Sequence, residues 1–158
     1  MILPLFCFGS LMDRDVLACV LGENPAARIV TEPGVFAGYR KVRLPHETYP
    51  ILVPDADSSA EGILIDGLNK HELNRIVFFE GDEYELSPCS IHLPDGSGVD
   101  ALFFDEGVMP PPRSEEWDLA LWLQHHKGFM LRQSSHYMSY YGLLSASEAD
   151  SHWQSYQE

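Results

Sequence analysis

Residues Ile2 to Phe8 read Ile-Leu-Pro-Leu-Phe-Cys-Phe and stop abruptly at Gly9-Ser10. The run has no basic leader and meets Asp13 soon afterwards, so it reads as a buried first strand and not as a signal peptide. Directly beyond the glycine, Asp13 can cap a short helix. That helix would carry Val16, Leu17, Val20 and Leu21 at helical spacing, with Gly22 as its C-terminal stop. A chain that opens with strand, glycine loop and helix belongs to a mixed class, and the remaining pattern has to be fitted around that unit.

From about Val35 to Val53 the pattern is strand-like but is broken by Pro45 and by Tyr49-Pro50, which predicts strands that are short, bent or at an edge. Glu61 to Leu68 predicts another strand. Asn69-Lys70-His71-Glu72 is a capping box, and Leu73, Ile76 and Val77 behind it form an apolar stripe, so a helix is expected to end near Glu80-Gly81. Tyr84 to Leu93 and Val99 to Phe104 flank Pro94-Asp95-Gly96-Ser97-Gly98, a turn sequence that predicts a hairpin. Gly107 to Arg113 reads as a stiff proline-rich connector. Ser114 is expected to cap a helix with Glu115 and Glu116 in its first turn and Trp117, Leu121 and Trp122 behind them. A second helix, from about Phe129, should carry Met130, Tyr137, Met138 and Tyr141 before Gly142; this aromatic stripe reads as core packing. Ser145 to Glu158 reads as a polar tail docked by Trp153 and Tyr156.

The 158 residues, 45% of them hydrophobic, are expected to form one domain over 1–158 with a core of its own. No apolar stretch approaches the roughly 20 residues a membrane-spanning helix needs. Cys7, Cys19 and Cys89 are an odd number without paired spacing, which predicts neither a disulfide framework nor zinc and fits a reducing cytoplasm. The formal charge of −14 opposes a phosphate backbone, so nucleic acid is not an expected partner. The same charge opposes anionic metabolites at long range, and an acidic substrate has to be held by local donors.

Two places carry candidate chemistry. Phe8-Gly9-Ser10-Leu11 puts a glycine between a strand and a helix with free amides, a loop able to hold a carboxylate or carbonyl oxygen through main-chain donors. An ordinary turn fits the same residues. Gly9 is expected to have a dihedral that only glycine takes easily. Glu80 follows four large apolar residues, Ile76-Val77-Phe78-Phe79, at a helix end. Burial there, and the negative end of the helix dipole, would raise its pKa toward the range useful for proton transfer. A solvated glutamate at a frayed helix end fits the pattern equally. The seven histidines are scattered, with His125-His126 adjacent and so facing different ways on a helix; no metal site is expected. A Ser10 nucleophile is the weakest reading, since no paired histidine is suggested.

Together, Phe8-Gly9-Ser10-Leu11, the Tyr49-Pro50 strand, Glu61-Gly62 opening a strand, and Phe79-Glu80-Gly81 followed by Tyr84 resemble the γ-glutamylcyclotransferase-like superfamily. Trp117-Asp118-Leu119-Ala120 and Met138-Ser139-Tyr140-Tyr141-Gly142 are similar to one branch, the domain found ahead of Nudix ADP-ribose pyrophosphatases. The resemblance implies an α+β fold, a small mixed β-barrel-like sheet flanked by helices. Its pocket would bind substrate through Phe8, Gly9, Ser10, Leu11, Tyr49 and Tyr84, with Glu80 as the catalytic acid and base. It implies a γ-glutamyl small molecule as partner, cyclisation to 5-oxoproline without metal or organic cofactor, and a functional link to a Nudix hydrolase. A non-catalytic binding module of the same fold is the alternative. Two positions depart from the family pattern. Phe8 stands where a tyrosine is usual, removing a hydroxyl, and Val77 stands where many members have aspartate.

Overall fold

The computed structural model describes residues 2–43, 50–81, 84–105 and 117–156. Among them are five strands and six α-helices: β1 (Leu5–Cys7), α1 (Arg14–Leu21), α2 (Glu23–Arg28), β2 (Val30–Arg43), β3 (Pro50–Asp66), α3 (Lys70–Glu80), β4 (Glu85–His92), β5 (Gly98–Asp105), α4 (Leu119–His125), α5 (Lys127–Met138) and α6 (Ala146–Ser155). A 3-10 turn, Ser10–Met12, lies between β1 and α1.

The strands close into a mixed barrel in the order β1-β3-β2-β4-β5. Neighbours are antiparallel except at the seam, where β1 and β5 run parallel at Leu5↔Leu102 and the Leu102 amide donates to Pro4 O at 2.9 Å. β1 explains why its sequence shows no polar alternation. Phe6 and Phe8 point into the barrel with Phe36, Leu64, Ile91 and Phe103, while Leu5 and Cys7 face the helices beside Val16, Leu17 and Ile76. A strand covered on both faces has no solvent side to mark with polar residues. Gly62 lets the sheet pass close under it: a Cβ there would overlap Cys7 O and lie 2.6 Å from Phe6 Cζ.

The expected short strands around the prolines are instead two long ones, of 14 and 17 residues, and the separate strand at Glu61 to Leu68 is the second half of β3. The break is absorbed inside the ladder: pairing passes from Ala37↔Ser59 to Tyr39↔Pro54, with Gly38 at φ 83°. The Asp55 carboxylate gathers the unpaired residues, accepting from Asp57 N at 3.1 Å and Ser58 Oγ at 2.9 Å. Pro54 sits at the edge of this irregularity, where a missing N–H is tolerated.

Caps set the helix boundaries. Asp13 accepts from the amides of Asp15 and Val16 at the start of α1, and Asn69 with Glu72 forms the full capping box of α3. Helix α2, which the sequence reading does not anticipate, sends Arg28 to Glu72 Oε1 at 2.7 Å and to Gly67 O at 3.1 Å. The Tyr84–Leu93 and Val99–Phe104 runs form the β4–β5 hairpin, closed by Leu93 N to Ser97 O at 2.9 Å.

The C-terminal region departs from expectation. The Gly107–Arg113 connector and Ser114 to Glu116 lie outside the described residues. The described helix starts at Leu119, because Asp118 accepts from Leu121 N and serves as the cap; Trp117 precedes it and packs into the core. Helix α5 stops at Met138, short of Tyr141, as its last turn tightens: Tyr140 N bonds to Tyr137 O and Tyr141 N to Met138 O, both at 3.1 Å. The supposed polar tail contains α6, opened by a capping box of Ser145 and Glu148. Among the described residues no helix is long and apolar enough to cross a membrane.

Candidate functional site

The glycine loop is held at both ends. Met12 N donates to Gly9 O and Asp13 N to Ser10 O, each at 3.0 Å, and Asp13 then caps α1. The first amides of the turn have no acceptor within it. Ser10 is more than nine-tenths buried, and its hydroxyl has no hydrogen-bond partner among the described residues. Gly9 does not adopt a positive φ; its φ is −127°. The requirement for glycine is spatial, since a Cβ at this position would lie 3.0 Å from Pro50 Cδ and 3.2 Å from Cγ. A contact between the first strand end and the start of β3 could not be read from local sequence.

Glu80 is the last residue of α3, which stops at Gly81 with φ 93°. The end of this helix is anchored from outside: Tyr137 Oη on α5 donates to Phe78 O at 2.6 Å, and the Phe78 and Tyr137 rings lie 4.8 Å apart. A carbonyl without an intrahelical partner is thereby satisfied, and the turn that presents Glu80 is fixed. Glu80 is half-buried. Its charge reaches Cys7, whose thiol is pushed well above its ordinary range by burial first and by Glu80 second. Both effects favour the protonated thiol of Cys7 over the thiolate.

These two features open on one cavity of about 630 Å³. One wall comes from β1, the 3-10 turn and the end of α3, and includes Phe8, Gly9, Ser10, Leu11, Glu80 and Gly81; Pro50 and Tyr84 also line it. Helices α5 and α6 supply another part of the lining, with Gln133, Tyr137, Ser147, Asp150 and Trp153. Six of the seven site residues expected from sequence thus share one cavity. Tyr49 lies outside the described residues. The α6 contribution was missed, and Ser145-Ala146-Ser147-Glu148 was the signal that could have found it, since Ser145 Oγ accepts from Glu148 N at 3.1 Å and Ser145 N donates to Glu148 Oε1 at 3.0 Å. Tyr137, read as core packing, and Trp153, read as docking the tail, pack with rings 5.6 Å apart and line the cavity as well.

Among the described residues the lining holds two carboxylates, Glu80 and Asp150, and no lysine, arginine or histidine. No group of three or more His, Cys, Asp and Glu able to hold a metal occurs among the described residues. The site offers main-chain amides, an unpartnered hydroxyl, a carboxyl group at a helix end and an aromatic wall. That set suits binding an acid function and moving a proton.

A solution structure of an Arabidopsis thaliana protein superimposes with a TM-score of 0.61 at 22% identity, over 90% of this chain and 93% of that one. A gamma-glutamyl cyclotransferase structure superimposes with a TM-score of 0.56 at 9% identity, over 98% and 88%. At such identities these likenesses establish the fold. In sequence, AIG2-like protein A of Arabidopsis thaliana is 29% identical over 124 residues, 77% of this chain and 73% of that protein. Protein AIG2 C of the same plant is 31% identical over 123 residues, 77% of this chain and 72% of that protein. With the gamma-glutamyl cyclotransferase, AIG2-like family model matching residues 5–119, which takes in β1, the glycine turn, the whole barrel and Glu80, the chain belongs to that family.

Proposed function

We propose that this chain, acting as a single domain over 1–158, cyclises a γ-glutamyl amine or peptide to 5-oxoproline and releases the amine. The observation that carries this reading is the meeting of the Gly9–Leu11 turn and Glu80 on one cavity. Main-chain amides of the turn and the Ser10 hydroxyl hold the substrate α-carboxylate and keep the glutamyl chain folded back, so that much of the barrier is lowered by positioning. Glu80 takes a proton from the α-ammonium, and the freed amine attacks the γ-carbonyl carbon. A new N–C bond forms and the old amide C–N bond breaks. Glu80 passes protons from the attacking to the leaving nitrogen, which departs as an ammonium with no net proton drawn from solvent. Gly9, Ser10, Leu11, Phe8, Tyr49 and Tyr84 are assigned to substrate binding, and no metal or organic cofactor is assigned. A cytoplasmic setting is part of the proposal, as is the Nudix hydrolase link implied by the resemblance.

A second reading, a binding module without turnover, is favoured by Phe8, which lacks the hydroxyl usual at that position. The experiment that separates them is release of 5-oxoproline from a panel of γ-glutamyl compounds. With proton transfer at its typical worth, Glu80→Gln should lower the rate by about 10² to 10⁴. Binding of a non-reacting analogue and the unfolding midpoint should stay close to wild type. No turnover by the wild-type protein on any compound would leave the binding module standing and remove the enzyme.

A further inference from the structure

On the cyclotransferase reading, on which this inference rests, the Gly9–Leu11 turn holds the substrate α-carboxylate through main-chain amides and the Ser10 hydroxyl. Two residues beyond Leu11 the chain carries Asp13, and then Asp15. An anion fixed beside a carboxylate site opposes binding unless its charge is offset. Asp13 is fixed there. Its amide donates to Ser10 O at 3.0 Å, and its Oδ2 accepts from Asp15 N and Val16 N, each at 3.2 Å.

The other oxygen, Oδ1, accepts from Lys127 Nζ at 3.0 Å, and the same ammonium reaches Asp15 Oδ2 at 2.8 Å. The Asp13 side chain is 12% exposed and that of Lys127 27%, so this pair is screened less than one in open solvent. The cations nearest in sequence or space are engaged elsewhere. Arg14 Nη1 donates to Ala26 O at 2.8 Å; Lys41 Nζ, 4.0 Å from Met12 Sδ, lies 5.3 Å from the centroid of the Trp117 ring. Lys127 is also misplaced for its own helix. It is the first residue of α5, whose first turn holds no acidic residue, and a cation there opposes the helix dipole. Asp13 and Asp15, across the α1–α5 contact, supply the compensation. Their hydrogen bonds, Asp15 first and Asp13 second, raise the Lys127 pKa above its ordinary value and keep the ammonium charged. Lys127 lies beyond residues 5–119, the segment the family model describes.

We propose that Lys127 is a positioning residue for the γ-glutamyl head: it offsets the charge of Asp13 and so lets the Gly9–Leu11 turn accept a carboxylate. It acts through Asp13 and the turn, without touching the substrate.

The test compares two probes by calorimetry, 5-oxoproline, whose carboxylate is the α-carboxylate of the substrate, and its neutral carboxamide. Lys127→Met should weaken 5-oxoproline about fivefold and leave the carboxamide near its wild-type affinity, and the loss should shrink as salt is raised. Lys127→Arg should keep wild-type binding. Adding Asp13→Asn to Lys127→Met should restore 5-oxoproline, because asparagine still caps the helix but carries no charge. Equal losses for both probes, no loss for either, or no restoration by Asp13→Asn overturns the proposal, and so does a wild-type protein that binds neither probe. The reaction is checked separately with γ-glutamylbutylamide. If the wild-type protein releases no 5-oxoproline from it, the cyclotransferase reading fails for that substrate while the contrast between the probes still decides Lys127. With turnover, Lys127→Met should raise KM at nearly constant kcat. A lower kcat at unchanged KM counts against the proposal.

Discussion

The two walls of the cavity are held in place by different physics. On the barrel side, position is set by the backbone: strand pairing seats β1, and Met12 N to Gly9 O and Asp13 N to Ser10 O lock the turn at 3.0 Å each. On the α5–α6 side, position is set by side chains. Trp153 packs edge-on against Tyr137 and Phe79, and Gln133 Nε2 donates to Trp153 O at 2.9 Å. Backbone ladders allow little substitution of position, whereas a side-chain-docked helix can change its residues and its depth. A wall of the first kind suits a reaction that needs donors at fixed places, and a wall of the second kind suits recognition that varies.

The largest expected effect breaks the barrel wall. In Gly62→Val the new side chain would overlap Cys7 O and the Phe6 ring, so β1 must move or the barrel open. A loss of about 3 kcal/mol or more is expected, read as a fall in the urea midpoint. A variant with wild-type stability would show that the barrel wall is as yielding as the helical one.

An intermediate effect is expected where the walls are tied together. Tyr137→Phe keeps the ring but leaves the buried Phe78 carbonyl without the 2.6 Å hydrogen bond, at a loss of about 1–3 kcal/mol. If Tyr137 also positions Glu80, 5-oxoproline release should fall further than the lost folded fraction explains. Equal losses in both would reduce Tyr137 to a packing residue.

The smallest effect is at the start of α6. Ser145→Ala removes the acceptor for Glu148 N and should lower stability by about 1 kcal/mol. If α6 serves recognition and not proton transfer, the variant should alter the dependence of kcat/KM on the substrate while turnover of a small neutral amide stays near wild type. A change in every substrate alike would mean that α6 is integral to the catalytic wall.

The resemblance at Phe8–Leu11 and Phe79–Gly81, together with the caps and turns, makes much of the barrel wall legible in the sequence. The α6 wall is hidden in the polar composition of Ser145 to Glu158, although the spacing of Ser145 and Glu148 carries its capping box. Asp13 at α1, Asn69 and Glu72 at α3, and Pro94 to Gly98 in the hairpin were readable because each acts on groups within about four residues of itself. Closure at Leu5↔Leu102, the long ladder that carries β3 past Pro54, and the Pro50 ring that forbids a side chain at Gly9 were not. They join segments far apart in the chain, and such pairings depend on loop-closure entropy and on what the whole core can bury. Local sequence by itself determined where α1, α3 and the hairpin lie and which residues could carry chemistry. Only the tertiary structure decided that the turn, Glu80 and the α5–α6 residues line a single cavity.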